Sequence, residues 1–272
     1  MELSKLDKAK ERFVKIFQAN HRVSESEAEQ MYEVEAFTFK KQIIDNPALS
    51  ECTEASILMT FLAVVSNGLT FNNSQKLVYL MTRNVKGASG FEKQLVYQTT
   101  PDGKIYLCQK AGSVKDVSKP VIVYEGDQIE VSYNHVNYSP KIPRNEKIIG
   151  GFCTVTYLDG RQEVVWVDVK DMETNRKASE KQNRGTANAL YSSNGGQIDI
   201  GFFSSKIINS ALKNKSKKGT YSENEVQDDD VYIDTQVMQV DAGSQEVEVI
   251  TLDTNGATDH GNIATELKEL AF

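Results

Sequence analysis

The chain has 272 residues and a formal net charge of −7, a size near which one hydrophobic core gives way to two. Its longest apolar run, ILMTFLAVV at 57–65, is too short to span a bilayer, and the opening MELSKLDKAKERF lacks the apolar centre of a signal peptide, so a soluble, cytoplasmic protein without membrane contact is expected. Three widely spaced cysteines, Cys52, Cys108 and Cys153, sit among apolar residues and read as small buried thiols, not as a disulfide frame or zinc site.

In chain order, residues 3–18 read as a charged amphipathic helix. Ser24 with Glu27 makes a capping box that opens a second helix towards Asp45, stopped by Asn46-Pro47. A third helix runs from Thr53 to Asn67, with Ile57, Leu58, Phe61, Leu62 and Val65 on its apolar face and Gly68 as its stop. KLVYLMT (76–82) alternates like a strand, NVKGASG (84–90) reads as a mobile loop, and LVYQ (95–98) returns to strand. Residues 103–111 form a helix closed by Gly112. Residues 121–133, VIVYEGDQIEVSY, predict a hairpin turning at Glu125-Gly126-Asp127, and 148–169, IIGGFCTVTYLDGRQEVVWVDV, predict a second one turning at Asp159-Gly160. A polar helix over 168–182 carries Arg176, Lys177 and Lys181, and NRGTANALYSSNGG (183–196) is a loop.

The segment 199–219, DIGFFSSKIINSALKNKSKKG, places Phe203, Ile207 and Ala211 on one helical face with Ile200, Ile208 and Leu212 beside them. Lys206, Asn209, Lys213 and Lys217 recur at spacings of three and four along the other side, a positive stripe one helix long. Such a stripe either binds phosphates or solvates an outer face near a helix C-terminus. The order of elements is α+β, an antiparallel β-meander packed with helices.

Charge divides the chain again. Residues 222–272 hold thirteen acidic side chains against one base, Lys268, a net of −12, which leaves +5 on residues 1–221. A modestly basic body, 1–221, and an acidic tail, 222–272, follow, a pattern that suits either a body that holds a polyanion or a tail that merely aids solubility. The tail's runs VYIDTQVMQV and EVEVITL suit a small satellite hairpin or a loosely ordered segment.

Several chemistries lack their motif. There is no GxxxxGK[ST] phosphate loop and no GxSxG elbow, and His21, His135 and His260 stand without metal-ligand spacing. One catalytic pattern remains as an alternative: Asp159, Asp168 and Lys170 match loosely the two carboxylates and lysine of a Mg²⁺-dependent nuclease. Against it, a turn explains Asp159 and a helix N-cap explains Asp168. A third reading is a structural oligomer whose basic stripe meets a neighbour's acidic tail.

Taken in order, SECTEASILMTFLAVVSNGLTF, KLVYLM, IYLCQKAGSVKDVSKPVIVYEGDQIEV, IIGGFCTVTYLDGRQEVVWVDVKDMETNRKAS and DIGFFSSKIINSALK, from about residue 50 to 214, resemble the RecT-like family of phage single-strand annealing recombinases. The specific pieces are the CTxxSI helix ending in GL, AGSV followed by VYEGD, the strand pair around LDG, and Asp199 seven residues before Lys206. The resemblance implies a stoichiometric, ATP-independent protein that assembles into rings or helical filaments and holds single-stranded DNA and the annealed duplex in a basic groove running from protomer to protomer. No catalytic residue and no cofactor are implied, Mg²⁺ entering only as a counterion of DNA. Lys206 matches the lysine of the family's last helix and Arg176 lies in the polar helix where the family also places basic residues; beside them Lys213, Lys177, Lys181, Arg184 and Lys110 are the expected DNA contacts, with Tyr133, Tyr138 and Tyr191 as candidate stacking residues. An exonuclease or a host single-strand binding protein is the expected partner of the tail, through Ile263, Leu267 and Leu270. Two departures stand out: the loop NYSPKIP has Tyr138 where family members often carry a histidine, and the loop before the last helix has no Gly-Pro-Trp, the only tryptophan being Trp166 in a strand.

Overall fold

The computed structural model describes residues 6, 9–87, 90–182, 185–213 and 215, so the tail 222–272, Arg184 and Lys217 lie outside the described residues. Contacts divide the described chain into two units, the division falling between Gly103 and Lys104.

The first unit begins with α1 (Lys10–His21), α2 (Glu25–Asp45), α3 (Pro47–Ser50) and α4 (Glu54–Ser66). Each later start is fixed by a side-chain cap. The Ser24 hydroxyl accepts from the Glu27 N–H while the Glu27 carboxylate accepts from the Ser24 N–H at 2.9 Å, Asn46 caps α3 and Thr53 caps α4. Two expectations are corrected. The first helix, described over Lys10–His21, runs past the expected end at 18, its expected start at 3 lying outside the described residues, and Asn46-Pro47 does not simply end α2 but starts α3, proline at N1 needing no donor. The core is aromatic: Phe61 of α4 lies 5.6 Å from Phe13, 5.2 Å from Phe39 and 5.6 Å from Phe71 between ring centroids. A buried carboxylate, Glu35 of α2, accepts hydrogen bonds from the Thr70 hydroxyl and from the Phe71 N–H at 2.8 Å, tying α2 to the segment after α4. Burial pushes its pKa up despite both donors.

α4 docks on a two-stranded ribbon through the Thr60 hydroxyl, which donates to the Leu95 carbonyl at 2.8 Å, and the Ser56 hydroxyl, which accepts from the Leu95 N–H at 2.9 Å. The ribbon pairs β1 (Val78–Gly87) with β2 (Gly90–Thr99) in register from Val78↔Thr99 to Gly87↔Gly90. It corrects the loop expected at 84–90, because strand pairing continues through Val85 and Lys86 and only the two glycines flank the turn. The division between units falls within α5 (Pro101–Lys110).

In the second unit the central strand is β7 (Ile148–Thr156). It pairs antiparallel with β8 (Gln162–Asp168) along one edge and with both β3 (Asp116–Val117) and β4 (Val121–Tyr124) along the other. The turn at Asp159-Gly160 joins β7 to β8 as expected. The turn at 125–127 is real but joins no hairpin: β4 pairs with β7, while β5 (Gln128–Val131) pairs with β6 (Val136–Ser139). Gly126, at φ 90°, thus forms a corner between two sheets.

Side chains alternate across the β7–β8 sheet. Ile122, Cys153, Val155 and Val167 face a core shared with α6 (Asp171–Gln182) and α7 (Ile200–Leu212), whereas Val123, Phe152, Val164 and Trp166 face β5 and β6. All three cysteines are buried and free, and burial pushes the thiols of Cys52 and Cys153 up to about 11. Two adjacent glycines admit both layers. A Cβ at Gly150 would sit 2.2 Å from the Trp166 ring, and one at Gly151 would sit 2.5 Å from Ile207 Cδ1 and 2.9 Å from the Val121 carbonyl. Gly151→Ala is therefore expected to lower stability by about 2 kcal/mol through overpacking. Ile207→Val removes the clashing methyl, so in denaturant unfolding the double variant should be no less stable than Gly151→Ala alone; additive losses would show that α7 is not seated by this contact.

Candidate nucleic-acid interface

α7 runs alongside β7. At its start the Gln197 side chain accepts from the Ile148 N–H at 2.7 Å and donates to the Glu146 carbonyl at 3.0 Å, and the Asp199 carboxylate caps the helix by accepting from the Phe202 N–H at 2.8 Å. Its far end reaches the β7–β8 turn, where Lys215 Nζ meets the Glu163 carboxylate at 2.7 Å and lies 5.2 Å from the Tyr157 ring centroid. The Tyr157 hydroxyl donates to the same carboxylate. Burial opposes both charges, but the mutual hydrogen bonds outweigh it and hold Glu163 below the ordinary carboxylate range and Lys215 above the ordinary lysine value.

The inward face is core as expected: Phe203, Ile207, Ile208, Ala211 and Leu212 are buried, joined by Phe202. Ile200 is the exception, 44% exposed at the first turn. The stripe is shorter than predicted. The helix ends at Leu212, so Lys206 is its only helical lysine and Lys213 is its C-cap, exposed to solvent. The stem of Lys206 crosses Phe202, with Nζ 5.2 Å from the ring centroid. Asn209 does not continue the outer row cleanly, since its Oδ1 is buried and without a hydrogen-bond partner.

The remaining predicted contacts fall into two places. Lys110 is the exposed last residue of α5, partly desolvated so that its pKa is drawn down. Its helix ends beside the β7–β8 turn, because Gly112 lies against Leu158 and the Lys115 N–H donates to the Thr156 carbonyl at 2.7 Å. Lys110 and Lys213 thus belong to the same end of the sheet, with Lys115 and Arg161, which sequence reading did not single out. Arg161 is turned back on Asp159 at 2.6 Å. The other place is α6, where Lys177 and Lys181 are exposed. A chain of hydrogen bonds, Asn188 N–H to the Ser179 hydroxyl and Asp199 N–H to the Leu190 carbonyl, ties the last turn of α6 to the start of α7.

Arg176 carries a different message. Its guanidinium donates to Glu173 at 2.9 and 2.7 Å and to Glu180, all on its own helix, and these carboxylates raise its pKa. A phosphate at this guanidinium would compete with both carboxylates. Of the candidate aromatics, Tyr133 is 71% exposed at the tip between β5 and β6. Tyr191 is buried edge-on against Phe202 at 5.0 Å, and Tyr138 spends its hydroxyl on Asp127 and Arg144. Hydroxyl exposure is a tertiary property, and nothing in the local sequence separates these three tyrosines.

The nuclease trio is not a site. Asp159 lies in the turn before β8 and Asp168 is the last residue of that strand, whose seven residues put roughly 20 Å between its ends, which no shared metal spans. Asp159 is engaged by Arg161, and Asp168 accepts from the Lys170 N–H at 2.8 Å. That contact also corrects its expected role as N-cap, since α6 starts only at Asp171. Among the described residues no cluster of His, Cys, Asp and Glu is placed to hold a metal ion, and no helix is long and apolar enough to cross a membrane.

A model of the RecT family matches residues 34–197, more than half of the chain. The matched span holds Lys110, Arg176, Lys177, Lys181 and Arg184; Lys206 and Lys213 lie beyond it. No curated protein matches the chain.

The intrahelical pairs of α6 make a test of whether that helix faces DNA. The double variant Glu173→Gln, Glu180→Gln releases Arg176, and should tighten oligonucleotide binding at low salt and steepen the salt slope by about 0.7 for one added phosphate contact. An unchanged slope in the folded variant, read by fluorescence anisotropy, would remove α6 from the interface.

Proposed function

The chain belongs to the RecT family, and from that membership we propose that it binds single-stranded DNA and anneals complementary strands in phage recombination, stoichiometrically and without ATP. The family match is the observation that carries the reading. It is supported by the absence of a phosphate-loop motif from the sequence and by the exposure of Lys110 and Lys213 at the end of the sheet near the β7–β8 turn and of Lys177 and Lys181 on α6. Lysine ammonium groups neutralise phosphates and release counterions, which gives affinity without reading sequence. Complementarity is then tested by the bases themselves, with an exposed ring such as Tyr133 available to stack.

In this proposal residues 1–221 are the DNA-binding and oligomerisation core, and copies assemble as a ring or filament whose grooves run on from one to the next. The site residues are Lys206, Lys213, Lys110, Lys177, Lys181 and Arg184, with Arg176 after release from its carboxylates. Mg²⁺ acts only as a DNA counterion in the cytoplasm. The tail, 222–272, receives an exonuclease or host single-strand binding protein.

Mixing two complementary oligonucleotides with the protein, without nucleotide, is expected to yield duplex faster than the oligonucleotides alone and no fragments when Mg²⁺ is added. The double variant Lys206→Ala, Lys213→Ala should lower the single-strand salt slope by about 1.4, two contacts at about 0.7 each, and slow annealing; a folded double variant that binds as the parent does removes both lysines from the site. Truncation after Tyr221 is expected to tighten oligonucleotide binding at low salt, the gain fading as salt screens the −12 tail. Equal affinity across the salt series would leave the tail without a competing role.

A further inference from the structure

Asn67-Gly68, Asp102-Gly103, Asp159-Gly160 and Asn194-Gly195 are the pairs among the described residues in which an asparagine or aspartate precedes glycine. In such a pair the glycine nitrogen can attack the side-chain carbonyl carbon of the residue before it, because no Cβ stands in the way. Folding decides which pair is free to react. In three of them the nitrogen is held: the Gly68 N–H donates to the Val65 carbonyl at 2.8 Å, the Gly103 N–H to the Thr100 hydroxyl at 2.9 Å and the Gly160 N–H to the Tyr157 carbonyl at 3.0 Å. Two of the side chains are held as well, the buried Asn67 donating to the Tyr97 hydroxyl at 2.6 Å and Asp159 accepting from Arg161 Nε at 2.6 Å.

Asn194-Gly195 differs at both reacting atoms. Neither the Gly195 N–H nor the Asn194 side-chain amide has a hydrogen-bond partner among the described residues. The pair opens a two-residue turn in which the main chains of Asn194 and Gln197 exchange hydrogen bonds at 3.0 and 2.9 Å, with Gly195 at φ 57° and Gly196 at φ 84°. Both glycines are exposed, and a Cβ on either would meet nothing within 4 Å, so the turn has room to deform. Asn67 is the matched control. Both asparagines stand in the same Ser-Asn-Gly sequence, so local chemistry is equal and only the fold separates them.

We propose that Asn194 is a site of succinimide-mediated deamidation, and that its isoaspartyl product loosens the anchor at the start of α7. The Gly195 nitrogen, having given its proton to hydroxide, bonds to Asn194 Cγ, and the Cγ–Nδ2 bond breaks with Nδ2 leaving as ammonia. Water then opens the ring. Opening at Cγ leaves aspartate in an ordinary main chain, whereas opening at the backbone carbonyl carbon leaves isoaspartate, whose main chain runs through Cβ and Cγ and is one methylene longer. That methylene falls between the paired residues Asn194 and Gln197. The Gln197 side chain holds the Ile148 N–H at 2.7 Å and the Glu146 carbonyl at 3.0 Å, and Asp199, two residues on, caps α7. The modification acts on the seating of a helix and does not depend on DNA binding.

The full chain, incubated at mildly alkaline pH with and without denaturant and then digested for mass spectrometry, tests the site. In denaturant Asn67 and Asn194 should gain the mass of water less ammonia at similar rates. In the folded chain Asn194 should convert faster than Asn67 by about tenfold or more, since Asn67 waits for local opening. Asn194→Gln, whose longer side chain closes a less favourable ring, should show no gain at that position over the same time. The effect on α7 is read in a chain carrying Asn255→Gln, which silences the remaining Asn-Gly pair of the sequence. Its deamidated fraction, isolated by ion exchange and containing isoaspartate, should unfold at lower urea than Asn194→Asp, which adds the same charge without lengthening the main chain. Equal conversion of the two asparagines in the folded chain, or none at Asn194 while the denatured chain converts, overturns the site; a shared unfolding midpoint for the deamidated chain and Asn194→Asp overturns its effect on α7.

Discussion

The second unit depends on two hydrogen atoms standing where side chains would be. At Gly150 and Gly151 the central strand is pressed from both faces, by the Trp166 ring on one and by Ile207 of α7 on the other. A sheet normally keeps a packing layer about 10 Å away; here the missing Cβ atoms let Ile207 of α7 approach the backbone on one face and let the Trp166 ring of the neighbouring strand lie across it on the other. The consequence is directional. With Ile207 seated at Gly151 and Gln197 bonded to Ile148, α7 has no freedom to slide, so its outer side and the C-cap lysine take fixed places beside the β7–β8 turn. The Lys215–Glu163–Tyr157 cluster closes the other end. Position of the candidate interface is thus set by packing on the inner face, not by the charges on the outer one.

What the sequence made legible was chemistry that acts within a few residues. Ser24 with Glu27, Thr53 before α4 and Asp159-Gly160 between β7 and β8 are contacts over one to four positions, and each stands where it was expected. What escaped were choices made by distant partners. The corner at Gly126 carries the same turn residues as a hairpin; only the competition of β7 for β4, and of β6 for β5, distinguishes them. In NVKGASG the glycines suggest a loop, yet Val85 and Lys86 remain paired with Glu92 and Phe91, because two strands already in register extend until the backbone must turn. The last helix stops at Leu212 for a related reason. Leu212 is its last core residue, and past it Lys215 turns to Glu163 and Tyr157 of the sheet.

The basic residues show the same limit in electrostatic form. Charge periodicity reports where a cation stands, not what it is holding. Arg176 sits among exposed residues yet is committed to Glu173 and Glu180, and Lys215, inside the most lysine-rich stretch of the body, is committed to Glu163. A phosphate must outcompete those carboxylates, whereas at an exposed lysine it displaces mainly water and counterions. The difference between these cations is therefore a matter of partners: Lys110, Lys177 and Lys181 are exposed, whereas Arg176 is held by two ion pairs that a phosphate would have to displace.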